Sequence, residues 1–177
     1  QLLIGAEGTL GVITAPTLQL LPEPPEPHTF LLAVPDAAAA LAVLETLQHN
    51  TQTLVLRAEA MWNAFATENA KLQTSNLLET LPNAPLFVIY EVHCPNGNPE
   101  ETVFAALEHH FETGQILDAI AAQSVQQASD IWWLREDTLS IGTVFPHREW
   151  FDISVPLAHL DSFVKTVETR IADLNAG

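Results

Sequence analysis

From residue 29 onward, short apolar runs alternate with stretches in which apolar residues recur every three or four positions, and this rhythm predicts strands and helices in turn. Residues 29–34 read as a buried strand stopped by Pro35, with Asp36 placed to cap the next helix. That helix, about 37–49, turns Leu41, Val43, Leu44 and Leu47 to the core. A second strand begins at 53–56 and reaches toward Ala60, a short helical segment opens at 61–66, and 85–92 is the clearest third strand. Pro99, Glu100 and Glu101 suit the start of a helix over 99–113, which carries Val103, Phe104, Leu107 and Phe111 on one side and ends at Gly114. Residues 116–121 fit a fourth strand, 125–140 a helix and 150–155 a fifth strand. A last helix places Leu157, Leu160, Val164, Val167, Ile171 and Leu174 along one stripe. The predicted class is α+β: a ferredoxin-like antiparallel sheet with helices on one side. Ahead of it, the proline-rich and acidic residues 22–28 can continue neither a central strand nor a helix, and read as a linker between residues 1–21 and the domain 29–177.

Composition narrows the function classes. With 47% apolar residues among 177, the chain can bury one core. Six basic against twenty-two acidic residues give a formal charge of −16, which repels nucleic acid and anionic membrane surfaces. No apolar run approaches the roughly 20 residues of a membrane-spanning helix. The single cysteine, Cys94, excludes an intrachain disulfide and fits a reducing compartment, so a cytoplasmic location is expected.

The densest local signal is Gly5-Ala6-Glu7-Gly8-Thr9-Leu10-Gly11-Val12-Ile13. Three glycines at a spacing of three cost backbone entropy, which is recovered either by a tight turn or by close approach of a ligand to the main chain. With its flanks, Gln1-Leu2-Leu3-Ile4 before and residues 13–22 after, the segment resembles the end of the flavin-binding domain in the FAD-linked oxidase family of D-2-hydroxyacid dehydrogenases. That family includes glycolate oxidase subunits, D-lactate dehydrogenases and D-2-hydroxyglutarate dehydrogenase. Trp133-Leu134-Arg135-Glu136 and Phe151-Asp152-Ile153-Ser154-Val155-Pro156 resemble, in the same order, its Trp-x-Arg-Glu helix and Asp-x-Ser-x-Pro strand.

The resemblance implies FAD as cofactor, contacted by Glu7, Gly8, Thr9, Leu10, Gly11, Val12 and Ile13. It implies a small 2-hydroxy acid as substrate, oxidised by hydride transfer to the flavin, and leaves the electron acceptor unnamed. Residues 1–21 would be the last strand of the flavin domain and 29–177 a substrate domain truncated at its C-terminus. Because the chain opens on Gln1 with a strand under way, a fragment is expected, inactive by itself. In the family, a further C-terminal part carries histidines that bind a divalent metal and a Glu-His pair used in oxidation; neither motif is found here. A homodimer is compatible with the resemblance.

Arg135 is the leading candidate side chain. With Val125, Ala128, Ile131, Trp132 and Leu139, which recur at three- and four-residue steps along a helix, it falls within an apolar stripe, where a guanidinium needs an anion. That anion is either an internal Glu or Asp or, as the family's Arg implies, the carboxylate of a 2-hydroxy acid held bidentately. Thr138, and less so Ser140, lie about one turn later and are placed to donate to the same anion. The D-2-hydroxyglutarate branch has a Lys where this chain has Trp150, which counts against a dicarboxylate; Arg148, two residues earlier, is the candidate replacement. The seven histidines show no metal-binding spacing, and Cys94 has no base placed beside it in sequence. The competing reading is a free-standing ligand-binding or regulatory module, which would pack residues 5–13, whereas the enzyme reading leaves them exposed.

Overall fold

The computed structural model describes residues 3–20, 25–73, 75–147 and 151–175, apart from the side chains of Ser140 and Asn175. Its elements are β1 (His28–Val34), α1 (Ala37–His49), β2 (Leu54–Trp62), α2 (Asn63–Leu72), a 3-10 turn (Leu77–Thr80), β3 (Leu86–His93), α3 (Pro99–Glu112), β4 (Asp118–Ala121), α4 (Val125–Glu136), α5 (Thr138–Val144) and α6 (Leu157–Asn175). The helix starts at Asp36 and Pro99 are those expected, and Asn98 and Ser124 add caps that the sequence reading did not name. Asp36 accepts a hydrogen bond from the Ala39 amide at 2.8 Å, Ser124 accepts one from Gln127 at 3.1 Å, and Asn98 caps α3 just ahead of Pro99.

The four strands form one sheet in the order β2-β3-β1-β4, with every neighbouring pair antiparallel. This is the ferredoxin-like arrangement: β1-α1-β2 and β3-α3-β4 are two interleaved units, each split by a strand of the other. Phe30, Leu32 and Val34 of β1 and Val88, Tyr90 and Val92 of β3 meet Val43 and Leu47 of α1 and Val103 and Leu107 of α3. The opposite face is covered as well. There Leu31, Ala33, Phe87 and Ile89 pack against Ala66 and Ala70 of α2 and Ile131, Trp132 and Leu134 of α4. Helices therefore flank the sheet on both sides, adding a second layer to the one expected. The physical reason is visible in β1 and β3, which are buried along nearly their whole length and leave no face for water.

Three boundaries differ from the sequence reading. No strand forms among the described residues of 1–21, nor at 151–155, because neither segment has a neighbouring strand to complete a ladder; Phe151 and Ile153 stay exposed. The helix expected over 125–140 breaks at Asp137, whose ψ of 67° leaves the helical region, and resumes as α5. The second strand runs on to Trp62, so α2 starts two residues later than expected.

Two side-chain locks tie helices to this sheet. The Tyr90 hydroxyl donates to the Ala40 carbonyl of α1 at 2.6 Å. On the other face the buried Glu91 carboxylate accepts from Trp132 Nε1 of α4 at 2.7 Å and from Arg57 Nε and Nη2 at 2.8 and 3.0 Å, while the Arg57 guanidinium lies 4.1 Å over the Trp132 ring. The pair raises the Arg57 pKa further above its ordinary value, chiefly through the hydrogen bond to Glu91. The last turn of α4 is held to α2, with Asn69 donating to Leu134 O at 3.0 Å and Gln73 to Trp133 O at 2.8 Å.

The Glu91 side chain is 9% exposed and that of Arg57 53%, so the two partners are not equivalent. Arg57→Ala strands a buried charge and is expected to cost about 2–3 kcal/mol, whereas Glu91→Gln, which keeps an acceptor for Trp132 and frees an arginine to water, costs about 1 kcal/mol; urea unfolding of the two variants orders them. Burial also holds the Tyr90 phenol above its ordinary value. The folded state then keeps a proton that the unfolded state releases, so this contribution is whole below about pH 10 and lost as pH rises beyond it. Tyr90 is the chain's one tyrosine. Its ultraviolet titration should therefore coincide with alkaline unfolding, and Tyr90→Phe should remove that feature at a cost of about 1 kcal/mol at neutral pH.

Candidate functional site

Arg135 sits in the last turn of α4, on the side that faces β2. Ile131, Trp132 and Leu134 before it are buried, but Val125 and Leu139 are exposed, so the apolar stripe read from the sequence is shorter than expected and Arg135 lies at its margin. Its side chain is 36% exposed. The internal anion is present: Arg135 Nε lies 3.2 Å from Glu59 Oε2, and the guanidinium carbon stands 6.0 Å from the Phe65 ring. Nε is the guanidinium nitrogen nearest to that carboxylate.

Glu59 reaches Arg135 because of an irregularity in β2. The register between β2 and β3 shifts at Leu56, so that Val55 pairs with Val92 and joins the α1 side of the core, while Arg57 pairs with Glu91 and Glu59 with Ile89 on the α4 side. Without the extra residue, Val55 and Arg57 would share a face. Arg57, Glu59, Glu91, Arg135 and Glu136 thus form one charged cluster over Trp132, with Arg57 Nη1 also 4.0 Å from Glu136. The signal for this cluster was a lone carboxylate in Leu86-Phe87-Val88-Ile89-Tyr90-Glu91-Val92, a run otherwise apolar throughout. Sequence reading missed Arg57, Glu59 and Glu91 because their partners are 34 to 76 positions apart, as the pairs 57/91 and 59/135 require.

A groove of about 610 Å³ runs along the open edge of β2. Leu41 and Leu44 of α1, Trp62 and Tyr90, with Leu160 and Val164 of α6, give it apolar lining, and Glu59 and Arg135 are among its charged residues. Also in its lining, Trp62 donates to Glu168 at 2.9 Å and Lys165 pairs with Asp161 at 2.7 Å. Thr138 opens α5 beyond the break at Asp137 and is half-buried. Arg148 and Trp150 lie outside the described residues.

Residues 7–13 are exposed, and the glycine signal has a conformational cause: Gly5, Gly8 and Gly11 have φ of 81°, 79° and 153°, and Glu7 joins them at 47°. A Cβ at Gly5 or Gly8 would meet nothing within 4 Å, so the space above this backbone is open. Thr9 closes the turn by donating its hydroxyl and its amide to the Ala6 carbonyl at 2.6 and 2.8 Å. Among the described residues no three His, Cys, Asp or Glu side chains gather into a metal site. Burial pushes the Cys94 thiol up, away from nucleophilic use. No helix among the described residues is long and apolar enough to cross a membrane.

Comparison with known proteins brings these observations together. The chain is 30% identical to a D-2-hydroxyglutarate dehydrogenase of Stutzerimonas stutzeri, over 98% of its own length and 36% of that protein's. It is likewise 30% identical to a D-2-hydroxyglutarate dehydrogenase of Xanthomonas citri pv. viticola, with the same coverage, and 29% identical to the mitochondrial D-2-hydroxyglutarate dehydrogenase of Rattus norvegicus, over 97% of this chain and 32% of the relative. The chain thus spans about a third of the length of the curated relatives it matches. The family model for FAD linked oxidases, C-terminal domain, matches residues 23–176, taking in the whole sheet and both helical layers, and the chain belongs to that family.

Proposed function

We propose that the chain forms the substrate-binding part of an FAD-dependent dehydrogenase that oxidises a D-2-hydroxy acid. The observation that carries this reading is the half-exposed Arg135, engaged through Nε and lining a groove. The planar terminal pair of a guanidinium matches the two oxygens of a carboxylate, and a carboxylate bound there fixes the α-carbon next to it. Thr138, three positions on, is proposed to donate its hydroxyl to the same anion. FAD, when bound, supplies the acceptor for the hydride leaving the α-carbon. The residues proposed to meet it, 7–13, fit such a neighbour: their backbone takes positive φ at Glu7, Gly8 and Gly11, and among the described residues nothing packs above Gly8. This chain's own work is to bind, orient and exclude water; the acid–base step is assigned to no residue of it.

Among D-2-hydroxy acids, D-2-hydroxyglutarate is the first choice, since the relatives named above are dehydrogenases of that acid. A second carboxylate needs a second cation. Trp150 supplies none, Arg57 is committed to Glu91, and Arg148 is the residue proposed for it. The test is made on the full-length gene product. A yellow protein is expected, reducing an artificial electron acceptor in the presence of a D-2-hydroxy acid, with kcat/KM reduced about a hundredfold or more in Arg135→Ala and partly restored in Arg135→Lys. Arg148→Ala should raise KM for D-2-hydroxyglutarate and leave KM for D-lactate unchanged. A colourless protein without turnover would overturn the reading.

A further inference from the structure

Arg135 is held at both ends, and the second hold has a consequence for binding. Its backbone is held because the α4 carbonyls of Trp133 and Leu134 accept from Gln73, just past the end of α2, and from Asn69 of α2. Its side chain is ion-paired with Glu59, whose Oε2 lies 3.2 Å from Nε. A guanidinium offers a carboxylate two bidentate edges, one formed by Nε with one terminal nitrogen and the other by the two terminal nitrogens. The Glu59 carboxylate lies nearest Nε, on the first edge, and both residues line the groove in which a ligand would meet the second.

We infer that Glu59 is a positioning residue: it occupies the side edge of Arg135 and thereby aims the terminal edge at the substrate carboxylate. This rests on the proposed role of Arg135 as carboxylate clamp. Stability gives the pair little reason to exist, because Glu59 and Arg135 are 44% and 36% exposed and ion pairs so open to water contribute little. Orientation is a better reason. A long arginine side chain free to rotate would lose conformational entropy each time a substrate bound, and a fixed partner removes that cost beforehand. The neighbouring cation, Arg57, two residues earlier on the same face, is bonded through two nitrogens to Glu91 and feels Glu59 only as the weakest of its nearby charges.

The experiment separates contact from charge on the full-length, flavin-loaded enzyme. Glu59→Ala is expected to raise KM for the hydroxy acid about tenfold with kcat and thermal stability nearly unchanged. Glu59→Gln keeps an oxygen at the same reach and should stay within about threefold of the parent. Glu59→Asp keeps the charge but falls one methylene short, and should behave like Glu59→Ala. In an Arg135→Ala background, Glu59→Ala should have no further effect, because the two act as one unit. An unchanged KM in Glu59→Ala, the reverse order of the Gln and Asp variants, or additive effects of the two alanines would each overturn the inference. If instead Arg135→Ala leaves KM unchanged, the clamp itself is at fault, and the two failures are told apart.

Discussion

A carboxylate in the middle of a strand buried on both faces cannot remain charged without a counter-charge, and Glu91 is that carboxylate. β3 pairs on both sides, with β1 and β2, and its residues are buried from Leu86 to Val92. Desolvating a lone ion there would cost several kcal/mol, so the chain has to bring a cation and a further donor to the same spot. Arg57 must then face the α4 side of the sheet, and Trp132 must present its indole N–H downward. Those two requirements set the side to which β2 turns its charges and the rotation of α4 about its own axis. Arg135 and Glu136 are three and four residues after Trp132, so once the indole is fixed they too are brought over β2.

The irregularity at Leu56 follows from the same constraint. Strand alternation would send Val55 and Arg57 to one face, yet the α1 side needs an apolar residue near Val92 and the α4 side needs a guanidinium opposite Glu91. One extra residue meets both needs. It also places Glu59, two residues on, against the end of α4. The ion pair with Arg135 is therefore a geometric consequence of a lock made elsewhere, and its own energy contributes little to it.

Local patterns were legible in the sequence wherever a residue's preference acts within its own turn or strand. Asp36 and Pro99 start helices because the side chain of one and the φ angle of the other suit those positions, whatever the tertiary structure. β1 and β3 were legible as continuous apolar runs, and their two-sided burial already implied a second helical layer, though the expectation stopped at one. The strands expected at the N-terminus and at 150–155 show the converse. Phe151-Asp152-Ile153-Ser154-Val155 alternates as a strand should, but alternation describes only which way side chains point, and a strand exists through hydrogen bonds to a neighbour. Arg135 was legible as a charge needing an anion; that the anion was Glu59 was not, because the pairing depends on the β2 irregularity and on the docking of α4.

Charge gives the site its last constraint. With −16 net charges on the chain, an anionic substrate approaching from afar is repelled, and six basic residues are all that oppose this. Screening limits the repulsion to about 8 Å at physiological ionic strength, so what decides binding is the charge within one such length of Arg135. There Arg135 and Arg57 stand among Glu59, Glu91 and Glu136, a cluster that is negative by one charge overall. A carboxylate can be held in such a place only by directional contacts, since the summed field is against it. On the proposed reading, such a place favours a ligand whose two oxygens match the N–H donors of Arg135 over one attracted by charge alone, so the direction in which that guanidinium points would matter more than the fact that it is positive.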